Sequence, residues 1–201
     1  MSELIVDFIT SLDGYASAEG WPGWWGLEGP EYLAWLDQRP DRDYTILMGA
    51  NTYRLMYGFA SAAEASESDE TAEAGAMAEL TRQPKIVFSS TLQNPLAWAN
   101  TQLVSGDPIE AVAAMKRSGT NMSTLGSLTL CRSLLEAGLV DRFRVGVFPV
   151  ITGKTGRERI YDGYPDVALD MLASQTFDGK IQLLEYAPRV LTGPPGVDPA
   201  S

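Results

Sequence analysis

The hydrophobic positions of this chain fall into short apolar runs separated by segments of helical spacing. ELIVDFIT (3–10), YTILMG (44–49), KIVFSS (85–90) and RFRVGVFPVI (142–151) have strand length and predict buried strands. TQLV (101–104) and a brief segment ending at Leu125 add two shorter ones. Helices alternate with them. One starts after Gly29, with Pro30 at its first position and Tyr32, Leu33, Trp35 and Leu36 as apolar faces. Others are a turn or two over 51–59, MAELTRQ (77–83), a helix opened by Asp107-Pro108, and one over 128–137 closed by Gly138. Two last strands, about 167–177 and 180–187, meet at Asp178-Gly179, a hairpin signal. The pattern predicts an α/β fold: a mostly parallel central sheet flanked by helices, with an antiparallel C-terminal hairpin.

These elements occupy 1–187 and read as one domain. SAAEASESDETAEAG (61–75) is small and acidic, and predicts a surface insertion, in part helical through its alanines; 188–201, rich in Pro and Gly, reads as a disordered tail.

Charge and composition narrow the function. A net charge of −11 leaves no basic stripe for nucleic-acid phosphates or an anionic membrane. No apolar run approaches the roughly 18 residues of a membrane span, and no signal-peptide pattern is present, so the reading is cytoplasmic. The chain has no histidine, which excludes Ser-His-Asp and Cys-His catalysis and removes the commonest transition-metal ligand; no metal site is expected. The lone Cys131 sits in a helical apolar pattern and reads as structural.

Two motifs are decoys. GKT (153–155) lacks the P-loop glycine, since Phe148 stands in its place, and no G-x-G-x-x-G follows a predicted strand. TLGSLTLCRSLLEAGLVDRF (124–143) is more informative. Gly126-Ser127 between strand and helix lets backbone approach a ligand, and the free amides of the next helix favour an anion. An ordinary tight turn would look the same. LMGANTY (47–53) and VFSST (87–91) repeat the arrangement, and ligands of open α/β sheets collect at such strand ends.

SLDGYAS, LMGANTY, KIVFSSTL and LGSLTLCRSLLEAGLVDRFRVGVFPVITG, in this order over residues 3–187, resemble the dihydrofolate reductase-like superfamily. The resemblance is closest to the reductase domain of the bifunctional riboflavin-biosynthesis deaminase-reductase and its stand-alone relatives. It implies NADPH as hydride donor, with NADH as an alternative, and a small pteridine- or pyrimidine-like substrate. By the same resemblance Gly49, Asn51 and Thr52 lie by the cofactor's phosphates, and Ser89 and Ser90 toward its adenosine ribose. Gly126, Ser127, Leu128 and Thr129 wrap the pyrophosphate, and Ile9 and Ala16 adjoin the nicotinamide. Relatives often pair as homodimers, for which strand 142–151 and the C-terminal hairpin offer surface.

Two departures matter. Ala50 replaces the arginine that commonly follows the strand-end glycine, which weakens the case for a 2′-phosphate; Arg54, one turn on, is the candidate substitute. Aligning PEYLAWL (30–36) with the P-x-[DE]-L-x-x-F of folate reductases puts Tyr32 where the proton donor belongs and Glu31 one step off, which disfavours folate.

Asp7, Glu31 and Asp13 are the catalytic candidates. Asp7 lies among apolar neighbours; it contacts substrate nitrogens, acts as an acid, faces a polar rim or pairs with a buried arginine. Asp13 serves either its turn or the chemistry. Trp24 and Trp25, with Trp21, either close over a flat substrate beside Tyr32, pack their loop down, or bury a dimer face. A hydride-transferring reductase is the leading reading. A nucleotide-binding or regulatory protein without turnover, and an interaction protein with an empty cleft, are the alternatives.

Overall fold

The computed structural model describes residues 2–20, 25–65 and 72–194, so Trp21 and Trp24 lie outside the described residues. β1 (Leu4–Ser11), β2 (Tyr15–Ala18), α1 (Pro30–Gln38), β3 (Thr45–Gly49), α2 (Ala50–Ala65), α3 (Ala72–Arg82), β4 (Lys85–Phe88) and β5 (Thr101–Val104) form the first part. α4 (Pro108–Arg117), β6 (Met122–Thr124), α5 (Leu128–Glu136), β7 (Arg142–Phe148), β8 (Gly156–Arg159), β9 (Val167–Phe177) and β10 (Ile181–Val190) complete it.

Eight strands make the main sheet in the order β5-β4-β3-β6-β1-β7-β10-β9. The first six run parallel; β10 and β9 are antiparallel additions joined by the Asp178-Gly179 turn. The predicted architecture is therefore the observed one. β2 and β8, absent from the sequence reading, pair antiparallel as a separate small sheet.

The sheet has unequal faces. On one, Leu4, Val6 and Phe8 of β1 and Phe143 and Val145 of β7 pack under α5, which supplies Leu130, Cys131, Leu134 and Leu135. Alternation sends Asp7 and Ile9 to the other face. There α1 packs through Tyr32 and Trp35 on Phe148, Phe177 and Leu183, while α2 packs through Tyr53 and Ala60 on Ile46 and Met48.

Several expectations change. α2 continues through Ala65 and α3 begins at Ala72, so both flanks of the 61–75 segment are helical; its small residues extend the amphipathic pattern that Tyr53 and Ala60 anchor. β10 runs through Pro188 to Val190, so the tail starts later than 188; Pro188 sits near the strand's end, and the pairing with β9 continues past it. β7 lies between β1 and β10 with most of its residues buried, so it offers no free dimer surface, unlike the exposed apolar residues of β9. No helix of the described residues is long and apolar enough to cross a membrane.

Candidate active site

A cleft of about 1570 Å³ is lined from β1, β3, β6 and β7 and from α1, α2, α3 and α5. One end lies at the carboxyl ends of β3 and β6, where parallel α/β sheets bind ligands. Gly126 and Ser127 both adopt left-handed backbone, at φ 54° and 63°, which turns the chain at once from β6 into α5. The Ser127 hydroxyl accepts a hydrogen bond from the Gly49 amide at 2.7 Å and shares another with the Thr52 hydroxyl at 2.8 Å. Two strand ends are thus locked together by one serine.

Positive φ and close approach account for Gly126, while Gly49 lies in ordinary contact with Ser127. A Cβ on Gly126 would meet Thr52 Oγ1 at 3.2 Å, and one on Gly49 would meet Ser127 Oγ at 3.4 Å. No side chain caps α5, so its first amides face the cleft with the positive end of the helix dipole behind them. Uncapped amides at a helix N-terminus favour an anion. Nearby Ala50 lines the cleft, and the exposed Arg54 donates to Asn51 Oδ1 at 3.3 Å.

The other end is floored by the sheet and walled by aromatics. Tyr32 and Trp35 stack with centroids 5.8 Å apart, and both line the cleft with Ile9, Ala16 and Gly146. Burial pushes the Tyr32 phenol above its ordinary range, so it is a poor proton donor. Asp7 lines this end and is ion-paired through Oδ2 to Arg39 at 3.0 Å and Arg144 at 3.2 Å. Of the four readings of Asp7, two are observed together: it faces the cleft, and it pairs with the buried Arg144.

Arg144 also binds Asp41 through two parallel hydrogen bonds of 3.0 and 3.1 Å. Burial opposes its charge, but Asp7, Asp41 and Glu185 outweigh this and raise the guanidinium's hold on its proton. Burial likewise pushes the Asp41 carboxyl up, yet its bonds to Arg144 carry it below the ordinary carboxylate range.

The remaining candidates lie elsewhere. Asp13 accepts from the Ser11 hydroxyl at 2.6 Å and from the Thr152 and Gly153 amides, clamping the β1–β2 turn to the loop after β7. The Ser11 bond chiefly, with the two amides, lowers its pKa to about 2. Glu31 accepts from the Asp178 amide, while Asp178 accepts from the Glu31 and Tyr32 amides. Both acids hold the frame and neither lines the cleft. Ser89 accepts from the Thr91 and Leu92 amides, and neither it nor Ser90 lines the cleft. Trp25 is buried in the apolar cluster beside Tyr32 and Phe148, so it packs its loop down and does not line the cleft. The Cys131 thiol, raised to about 12 by burial, donates to the Gly126 carbonyl at 3.1 Å and is structural.

Arg39, Arg144, Asp41 and Trp35 were not foreseen as site residues. Alternate arginines at 142 and 144 in an apolar strand, facing a lone Asp7 on another, were the available signal. The β1–β7 register sets Asp7 directly beside Arg144.

Residues 2–183 match the RibD C-terminal domain. The chain belongs to that family. YyaP, an uncharacterised protein of Bacillus subtilis, is 26% identical over 185 residues, which are 91% of this chain and 93% of that one. A putative riboflavin biosynthesis protein from Shewanella sp. PV-4 superposes with a TM-score of 0.67 at 18% identity, covering 93% of this chain and 99% of the other. A pyrimidine reductase-like protein from Corynebacterium diphtheriae gives 0.61 at 17% identity, covering 94% and 92%. The deaminase/reductase of Thermotoga maritima gives 0.62 at 13% identity, covering 94% of this chain, which spans 57% of the longer one. The RibD C-terminal fold is thus the reductase-like fold that the motifs implied.

Proposed function

We propose that this chain is a reductase that moves hydride from a nicotinamide dinucleotide, NADPH or NADH, to a small flat heterocycle of pyrimidine or pteridine type. One observation carries the reading: a single continuous cleft joins the uncapped α5 terminus to the aromatic floor beside Asp7. Its volume exceeds the roughly 300–1,000 Å³ of a typical small-ligand pocket, as two ligands end to end require. When bound, the dinucleotide supplies the hydride.

In this reading the amides at Gly126, Ser127, Leu128 and Thr129 hold the pyrophosphate, with Gly49, Asn51 and Thr52 on its other side. Arg54 meets a 2′-phosphate where one is present. Ile9 and Ala16 set the nicotinamide face, and Tyr32 and Trp35 hold the substrate ring and exclude water. Asp7, the acid beside the aromatic floor, is tied to two arginines and so is not poised to protonate the ring. Rate enhancement then rests on positioning and desolvation, with the proton taken from water at the open side.

A cofactor-binding protein without turnover is the second reading, favoured by the pairing of Asp7 with two arginines. Steady-state NADPH oxidation with pyrimidine and pteridine substrates decides between them. Consumption of NADPH that depends on substrate supports the reductase; tight NADPH binding with no consumption across the set supports the binding protein.

A further inference from the structure

The cations of this chain are few, and all fifteen of its lysines and arginines fall within the described residues. Two of them, Arg39 and Arg42, line the cleft. Both are engaged, Arg39 with Asp7 at 3.0 Å and Arg42 with Glu79 at 3.5 Å and with the Asp37 carbonyl. They lie between α1 and the start of β3, whereas the α5 terminus faces the carboxyl end of that strand.

In the proposed reading the pyrophosphate lies at α5 and the nicotinamide by β1. The adenosine half then runs the other way across the sheet, over the ends of β3, β4 and β5. The cleft reaches that far, since Pro108 of α4 lines it. The segments leaving these strand ends are Ala50-Asn51-Thr52, Ser89-Ser90-Thr91 and Ser105-Gly106-Asp107, which hold one carboxylate and no cation. Asp107 caps α4 by accepting from the Ile109 amide at 2.8 Å, which fixes it beside Pro108. Arg82 and Lys85 stand at the amino end of β4, and Lys116 and Arg117 in the last turn of α4. Arg54, one turn into α2, is exposed, turned to Asn51 Oδ1 at 3.3 Å, and absent from the cleft lining. Charge pairs so open to water gain little.

We infer that the chain selects NADH over NADPH, because its adenosine end is lined by no cation for a 2′-phosphate and presents the Asp107 carboxylate instead. A 2′-phosphate adds roughly two negative charges at neutral pH and calls for guanidinium or ammonium partners. A ribose that keeps its 2′-hydroxyl is neutral there, and a carboxylate accepts a hydrogen bond from it. The motifs imply NADPH as first donor; the charges at this end of the cleft do not fit its extra phosphate. This inference rests on the proposed function in placing the dinucleotide, and narrows it to one cofactor.

The test is equilibrium titration of the full chain with NADH and with NADPH, read by energy transfer from tryptophan to nicotinamide, at low and at high sodium chloride. NADH should bind at least about fivefold more tightly at low salt, the scale of two added charges facing one carboxylate across water. High salt should narrow the gap, since it screens the repulsion. Ala50→Arg puts a guanidinium at the start of α2, where residue 50 lines the cleft. It should raise NADPH affinity at least about tenfold and move NADH affinity by less than about twofold. NADPH binding as tightly as NADH, a gap that widens with salt, or an NADPH affinity unmoved in Ala50→Arg overturns the inference. Should that variant lose cooperative unfolding, the wild-type gap and its salt dependence decide. Binding of neither dinucleotide overturns the proposed function itself, and this inference with it.

Discussion

Ser127 illustrates how much one residue can fix. Its left-handed backbone starts α5, its hydroxyl ties β3 to β6, and its amide belongs to the proposed pyrophosphate cradle. Gly126→Val places a branched side chain against Thr52 at a positive φ, and should weaken NADPH binding at least about tenfold by titration. Unchanged affinity would dissociate this turn from the cofactor. Asp13 makes a different prediction. Its folded pKa of about 2 lies below the ordinary 3.8, so its stabilisation is complete above the higher value and is lost as pH falls toward the lower. The melting-temperature gap between wild type and Asp13→Asn should therefore be largest near neutrality and close across that acid range. A gap independent of pH would mean that the clamp acts without its charge.

At the scale of elements, α1 depends on a residue far along the chain. No side chain from its own N-terminus caps it; Asp178, on the β9–β10 turn, accepts from its first amides instead. Asp178→Ala should cost about 1 kcal/mol, the usual worth of a helix cap. Thermal melts should show a loss of about 2–4 °C for a chain of this size. Gly29→Ala should cost more, because its Cβ would fall 2.1 Å from the Asp178 side chain. Much of this level was legible in the sequence. The parallel strands, α5 and the hairpin announce themselves through long apolar periods and strong turn residues. β2 and β8 do not, because strands of four residues with mixed polarity carry no period to read. Glu31 drew attention as an acid near a site, and only tertiary contacts reveal that it accepts from the Asp178 amide; a turn-serving role for Asp13 was legible, but not that the amides it holds belong to the distant Thr152 and Gly153. The Asp7 system was half legible: a charge among hydrophobes demands a partner, but which arginine answers is set by the β1–β7 register and by the return of Asp41 beneath it.

At the scale of the whole molecule, two features remain unspent: an exposed sheet edge and the long cleft. β9 pairs only with β10 among the described residues, and its Leu169, Met171 and Leu172 stand exposed, the last opposite a bulge at Glu185/Tyr186. A long apolar edge is an aggregation hazard unless covered, and a second copy of the chain is the cover we propose. Sedimentation should find a dimer that Met171→Lys converts to monomer; a monomeric wild type would remove the idea.

The cleft carries the central claim, that one continuous groove binds a nicotinamide dinucleotide at the α5 terminus. Titration of the purified protein with NADPH and with NADH, read by energy transfer from tryptophan to nicotinamide and by thermal shift, tests it most directly. Micromolar saturation by at least one dinucleotide, lost in Gly126→Val, is the expected result. Binding of neither would contradict it, and would leave a RibD C-terminal fold whose cleft serves other ligands.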